Sequence, residues 1–222
     1  MPNLLPVLVS SYVENALAGA GACKTVRLDQ VGEMVLKPGA RARLFTAREE
    51  FLVDRVGLTW QARFPLVGPI SMRVTDSYHS GQGLLEVRVL GLPLQRKRGP
   101  ELARGEAFRY LAEIPWTPHA MLANRELRWR ELDARVVEVA TDLDGERVAV
   151  RLIFDEHGDI MQTIAERPRV EAGNALTPWI GEYRDYEVLG GVRIPTRGAV
   201  RWDLPEGPFT YWRGTITALE LL

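Results

Sequence analysis

The chain has 222 residues, with 28 Lys and Arg against 29 Asp and Glu, 46% hydrophobic residues and a single cysteine. A net charge of -1 lacks the basic surplus of a nucleic-acid binder, and one cysteine excludes a disulfide framework or a paired-cysteine zinc or redox site. The apolar content is ample for a core, so the expectation is one globular, intracellular domain over residues 1–222.

At the N-terminus, Leu5, Leu8, Val9, Tyr12, Val13 and Ala16 share one face at helical spacing, and the Gly19 to Gly21 cluster is a natural stop. The small-residue run before Cys23 faintly suggests an export signal. No Lys or Arg precedes the apolar stretch, however, and Glu14 and Asn15 interrupt it, which favours a docking helix. No segment reaches the roughly 18 apolar residues of a membrane span.

Beyond residue 30 the period changes to two. Leu58, Trp60, Ala62 and Phe64 alternate with polar residues; so do Ile70, Met72 and Val74, then Leu85, Val87 and Val89. Val148, Val150, Leu152 and Phe154 repeat the pattern, as do Val200, Trp202 and Leu204. Turn signals at Asp144-Gly145, His157-Gly158, Gly190-Gly191 and 204–208 separate the runs. The reading is mainly β (α+β), with roughly ten to twelve strands in an antiparallel meander.

One segment breaks this rhythm. After 95–100, read as a polar loop, ELARGEAFRYLAEIPW has helical spacing, with Ala103, Ala107, Phe108 and Leu111 on one stripe. Glu106, Arg109, Tyr110 and Glu113 form the other, and Pro115 and Pro118 end or kink the helix. A sheet this large must curl, and something must cover its inner face.

The runs GPELARGEAFRYLAEIPWTPHAML (99–122), DSYHSGQG (76–83) and TPWIGEYRDYEVLGGVRIPTRGAVRWDLPEGPFTYWRGTIT (177–217) resemble a bacterial family of uncharacterised proteins over most of the chain. That resemblance implies a LolA-like, lipoprotein-carrier-like half-barrel, a curved sheet wrapped around helices and enclosing a greasy cavity. His119 departs from the small hydroxyl residue expected there. The half-barrel hosts lipid carriers and cofactor-free enzymes alike, so the fold does not decide the function.

Each candidate has a plain reading beside a functional one. Parity puts Asp76 and Tyr78 on the dry face with Met72 and Val74, where Asp76 would pair with a base or act as one. Alternatively the strand ends there and Asp76 caps a turn, the commoner fate. With the polar helical stripe facing inward, Arg109 could bind a carboxylate head group and Glu113, held by Arg109, could act as an acid or base, with Tyr110 or His119 as donor. Facing outward, the stripe is a set of surface pairs worth about 0.2–0.5 kcal/mol each. Trp116, Trp129, Trp179, Tyr183, Trp202 and Tyr211 are core residues or the flat walls of a pocket. Arg213, placed by parity with Tyr211, is a surface residue or a second anion anchor. No HxH, HxxxH or HExxH spacing joins His79, His119 and His157, and Cys23 has only Lys24 as a basic neighbour, so no metal, no cofactor and no cysteine nucleophile are expected. The first expectation is therefore binding of an apolar or amphipathic small molecule. The alternative is a cofactor-independent isomerase, cyclase or hydrolase using the same cavity, and a homodimer through an apolar edge strand stays open.

Overall fold

The computed structural model describes residues 5–222, so the first four residues of the opening run lie outside the described part. Helix α1 (Val7–Ala16) buries Val9, Tyr12, Val13 and Ala16, the face expected from its spacing. Six strands follow: β1 (Thr25–Met34), β2 (Arg43–Leu52), β3 (Gly57–Pro65), β4 (Ser71–His79), β5 (Gln82–Val89) and β6 (Leu92–Arg98). Helix α2 (Pro100–Ala112), a single 3-10 turn (Ile114–Trp116) and helix α3 (Pro118–Ala123) interrupt the strands. The remainder is β7 (Arg128–Asp133), β8 (Val136–Leu143), β9 (Glu146–Phe154), β10 (Ile160–Arg169), β11 (Ala175–Leu189), β12 (Val192–Leu204) and β13 (Gly207–Leu221). Among the described residues no helix is long and apolar enough to cross a membrane.

All thirteen strands form one antiparallel sheet in the order β6-β5-β4-β3-β2-β1-β13-β12-β11-β10-β9-β8-β7. The first and last strands pair at its centre, and β6 and β7 are its two edges. The chain must therefore pass from one edge to the other between residues 98 and 128, and it does so through the trough. Helix α2 packs against β4 and β5 from one flank and against β8, β9 and β10 from the other. The segment expected as a helical hairpin thus bridges the curled sheet from inside, which explains why the helix is buried almost all round.

Local chemistry fits this placement. Pro100 opens α2, where its missing N–H costs nothing. At the far end the Tyr183 hydroxyl donates to the Ala112 carbonyl at 2.6 Å, and the Tyr12 hydroxyl to the Pro115 carbonyl at 2.8 Å. Both satisfy carbonyls that the ends of these helices leave without intrahelical partners. The Trp116 indole N–H donates to the Pro195 carbonyl at 2.9 Å, tying the same turn to β12.

One expectation changes. Residues 95–98 are not a loop: they pair with 84–87 as edge strand β6, every residue of which is exposed. Charge and Pro93 had disguised the strand, and both are devices that keep a sheet edge from recruiting another chain. At the centre of the trough Trp116, Tyr110, Phe51 and Leu111 are fully buried. At Gly83, a Cβ would stand 2.7 Å from the backbone nitrogen of Ala103, so β5 and α2 meet at a distance only glycine allows. Gly83→Ala should therefore lower the unfolding free energy by about 1–3 kcal/mol, whereas Gly21→Ala, with open space around it, should change it little. Equal denaturation midpoints for the two variants would contradict this close approach.

Candidate acid cluster and mouth cleft

The polar stripe of α2 faces inward. Glu106 is 4% exposed and Glu113 9%, and the Arg109 guanidinium lies at the centre of four carboxyl groups from three elements. Its Nη2 is 2.6 Å from Glu49 Oε1, Nε is 2.9 Å from Glu113 Oε1, Nη1 is 3.4 Å from Asp76 Oδ2 and 3.8 Å from Glu106 Oε2. Trp60 of β3 lies under the guanidinium at 5.2 Å and donates its indole N–H to Gln30 Oε1. Gln30 Nε2 in turn donates to Glu49 Oε2 at 2.6 Å, so both Glu49 oxygens are held.

Strand parity explains the convergence. Asp76 continues the inward series of Met72 and Val74, and β4 runs on to His79, so the turn-cap reading of Asp76 is overturned. Glu49 had not been singled out, although the same rule finds it, on one face with Phe45, Ala47 and Phe51. Glu106 and Arg109 on α2, and Glu113 capping its C-terminal end, follow at three- and four-residue spacing.

Four acids around one guanidinium cannot all be ionised so far from water. Burial is the largest influence on each and pushes all four carboxyls upward, against the opposing pull of Arg109. Glu106 rises from 4.5 to about 8, with the neighbouring Asp76 charge adding to desolvation. Glu113 rises well above the usual range, raised further by Glu49. Glu113 and Glu106 are accordingly the groups that keep protons at neutral pH. The carboxyls also bond in pairs, Asp76 with Glu106 and Glu49 with Glu113, contacts in which a retained proton supplies the donor.

Beside the cluster, at the mouth of the half-barrel, is a cleft of about 430 Å³ between the loop after β1, β5, the end of β10, β12 and β13. Its walls include Met34, Leu85, Trp202, Phe209 and Tyr211, with Arg167 and Arg169 among them. The Arg167 guanidinium lies 4.5 Å over Trp179 and 5.9 Å over Trp202. Gly105 in the middle of α2 makes room for it, since a Cβ there would stand 2.9 Å from Arg167 Nη2.

The other expected residues are divided. Trp179, Trp202 and Tyr211 adjoin the cleft, and the Trp179 indole donates to the Tyr211 hydroxyl at 3.0 Å. Trp116 and Tyr183 are core residues, committed to backbone carbonyls as described, and Trp129 is half-buried on β7. Tyr110 is removed from the cluster: its hydroxyl donates to the Leu52 carbonyl and accepts from Asn124. His119 is buried, and its Nε2 donates to the Gly21 carbonyl at 3.0 Å. Burial lowers its pKa, holding the ring neutral. The Cys23 thiol is pushed up by burial, which disfavours the nucleophilic thiolate.

Arg213 points away from the cleft. The register between β12 and β13 shifts at Val200/Arg201, leaving Tyr211 as an extra residue, and this β-bulge reverses the parity that had grouped Arg213 with Tyr211. Arg213 faces Glu33 at 3.6 Å and lines an outer depression of about 650 Å³. That depression is larger than the cleft, but it is one exposed sheet face, and its Arg197 is already paired with Asp185.

The protonated cluster has a consequence for stability. Glu106 binds a proton more tightly folded than unfolded, so its contribution is full below about 4.5 and is lost as pH rises through about 8. Melting temperature should therefore fall over that window in the wild type and fall less in Glu106→Gln; identical profiles would contradict the assignment.

Comparison with solved structures shows the fold. A LolA superfamily protein from Nitrosomonas europaea aligns with a TM-score of 0.51 and 13% identity, over 98% of this chain and 94% of its own. A DUF1329 family protein from Desulfovibrio piger aligns with a TM-score of 0.52 and 10% identity, over 96% and 92%. A search of the curated proteins gave no match. The sequence matches the model of a family of unknown function, DUF6544, over residues 1–214, and the chain belongs to that family.

Proposed function

We propose that the protein binds an amphipathic small molecule in the mouth cleft, with its apolar part against Trp202, Phe209 and Tyr211. The observation that carries this is the pairing of flat aromatic walls with a few convergent polar groups in a space of about 430 Å³, the usual character and size of a small-molecule site. Arg109, the anchor expected from sequence, is occupied by four carboxyls, so the polar end of the ligand belongs near Arg167 and Arg169 instead. Arg169 already faces Glu171 at 3.5 Å, whereas among the described residues no carboxylate lies within ion-pair distance of Arg167.

The test uses a neutral fluorescent amphiphile, N-phenylnaphthylamine. Its emission should rise on titration with the full chain, and Trp202→Ala should weaken binding about tenfold, the scale of losing one aromatic contact. An unchanged affinity in Trp202→Ala, or no binding by the wild type, would overturn the cleft as the site.

A second reading, acid–base catalysis without a cofactor, is favoured by one observation. Glu106, held at about 8, is buried and hydrogen-bonds to a second raised carboxyl, Asp76. Incubation with a lipid extract separates the two readings: a compound consumed by wild type and spared by Glu106→Gln supports catalysis, and an unchanged extract supports binding alone.

A further inference from the structure

Arg167 lies between two environments. On one side it lines the cleft; on the other its charge is felt by Asp76 and Glu106, whose carboxyls it pulls downward against desolvation. Two Trp rings and the Cβ-less Gly105 hold the guanidinium there without an ion pair to any described carboxylate, an arrangement that orients a cation while leaving its donors open to an anion. On the cluster side, the Asp76 and Glu106 carboxyls hydrogen-bond to each other, the geometry in which one proton is shared.

We propose that Arg167 holds the anionic head group of the amphiphile (a carboxylate, sulfonate or phosphate) and that, in alkaline solution where the Asp76–Glu106 pair has given up its shared proton, capture returns that proton to the pair. This rests on the cleft being the binding site. With the cleft empty, Arg167 helps both carboxyls to ionise; an anion against the guanidinium cancels that help, and the proton comes from solvent to the acid pair. The charges facing the pair are Arg109 on α2, Glu113 at its C-terminal end and Arg167 on β10, with Glu49 on β2 bound to the far side of Arg109. Tyr211 on β13 also lies in the field of Arg167, and burial raises its phenol, so it stays neutral.

The sign follows from linkage. Ionising the pair places negative charge behind the anion, so affinity for an anionic ligand falls as pH rises through the titration of Glu106 near 8 and levels off below it. A neutral ligand of the same shape has no such dependence.

Two probes with the same rings test this on the full chain: anionic anilinonaphthalene sulfonate and neutral N-phenylnaphthylamine. In the wild type, the anionic probe should bind about tenfold more weakly at about pH 9 than at about pH 7, with the neutral probe unchanged. Arg167→Gln should lose about tenfold in affinity for the anionic probe relative to the neutral one, whose binding also reports that the variant is folded. Glu106→Gln should bind the anionic probe with a flat pH profile. Calorimetry of the wild type at about pH 9, in buffers of different ionisation heat, should detect proton uptake with the anionic probe only, and little uptake with either probe at about pH 7. Inorganic phosphate, an anion with no apolar body, should not compete at equal concentration; if it does, the head-group assignment to an amphiphile is wrong. Normal binding of the neutral probe, together with anionic binding that ignores both pH and Arg167→Gln, would overturn this inference alone. Failure of both probes to bind would overturn the cleft reading beneath it.

Discussion

A single guanidinium surrounded by four carboxyls is the constraint on which the interior depends. Helix α2 has to cross the trough because the chain leaves the sheet at β6 and re-enters at the opposite edge, β7. A helix in that position cannot present a solvated polar face, so its charged stripe is buried, and Arg109 joins α2 to β2 and β4. Removing one partner of such a buried set leaves uncompensated charge, which costs more than the set contributes in net stability. The cluster therefore fixes the position of the helix more than it stabilises the fold. Its acids tolerate each other only by holding protons.

The cleft sits beside this cluster, and the two share a wall. Trp179 and Trp202 stack on Arg167 from one side, while α2 approaches from the other through Gly105. The β-bulge at Tyr211 turns that ring toward the cleft and sends Arg213 to the outer surface. A bulge next to a candidate site is a frequent device for re-aiming one side chain without disturbing the rest of the strand. The same elements that position the helix thus shape the opening where a ligand would meet the sheet.

Much of this architecture was legible from period and parity. Alternation in Leu58–Phe64 and Val148–Phe154, together with Asp-Gly and Gly-Gly turns, marked the meander, and the same alternation set Asp76 facing inward. The face of α2 was not legible, because both of its stripes are buried and neither looks like the wrong one. Glu49 was findable by the parity rule and hidden by its charged neighbours Arg48 and Glu50. Arg167 was beyond reach, since Thr163 and Ala165 on the same face carry no apolar alternation and its meeting with Gly105 spans some sixty residues of chain. Arg213 failed for a different reason: one inserted residue inverts parity, and nothing local announces it.

The proton content of the cluster can be measured directly by infrared spectroscopy of the carboxyl stretch in heavy water at neutral pD. Glu113 and Glu106 as neutral acids predict a protonated-carboxyl band in the wild type that weakens in Glu106→Gln and bleaches as pD rises through the titration of Glu106 near 8. A spectrum with only ionised carboxylates at neutral pD would contradict the buried, proton-holding arrangement around Arg109.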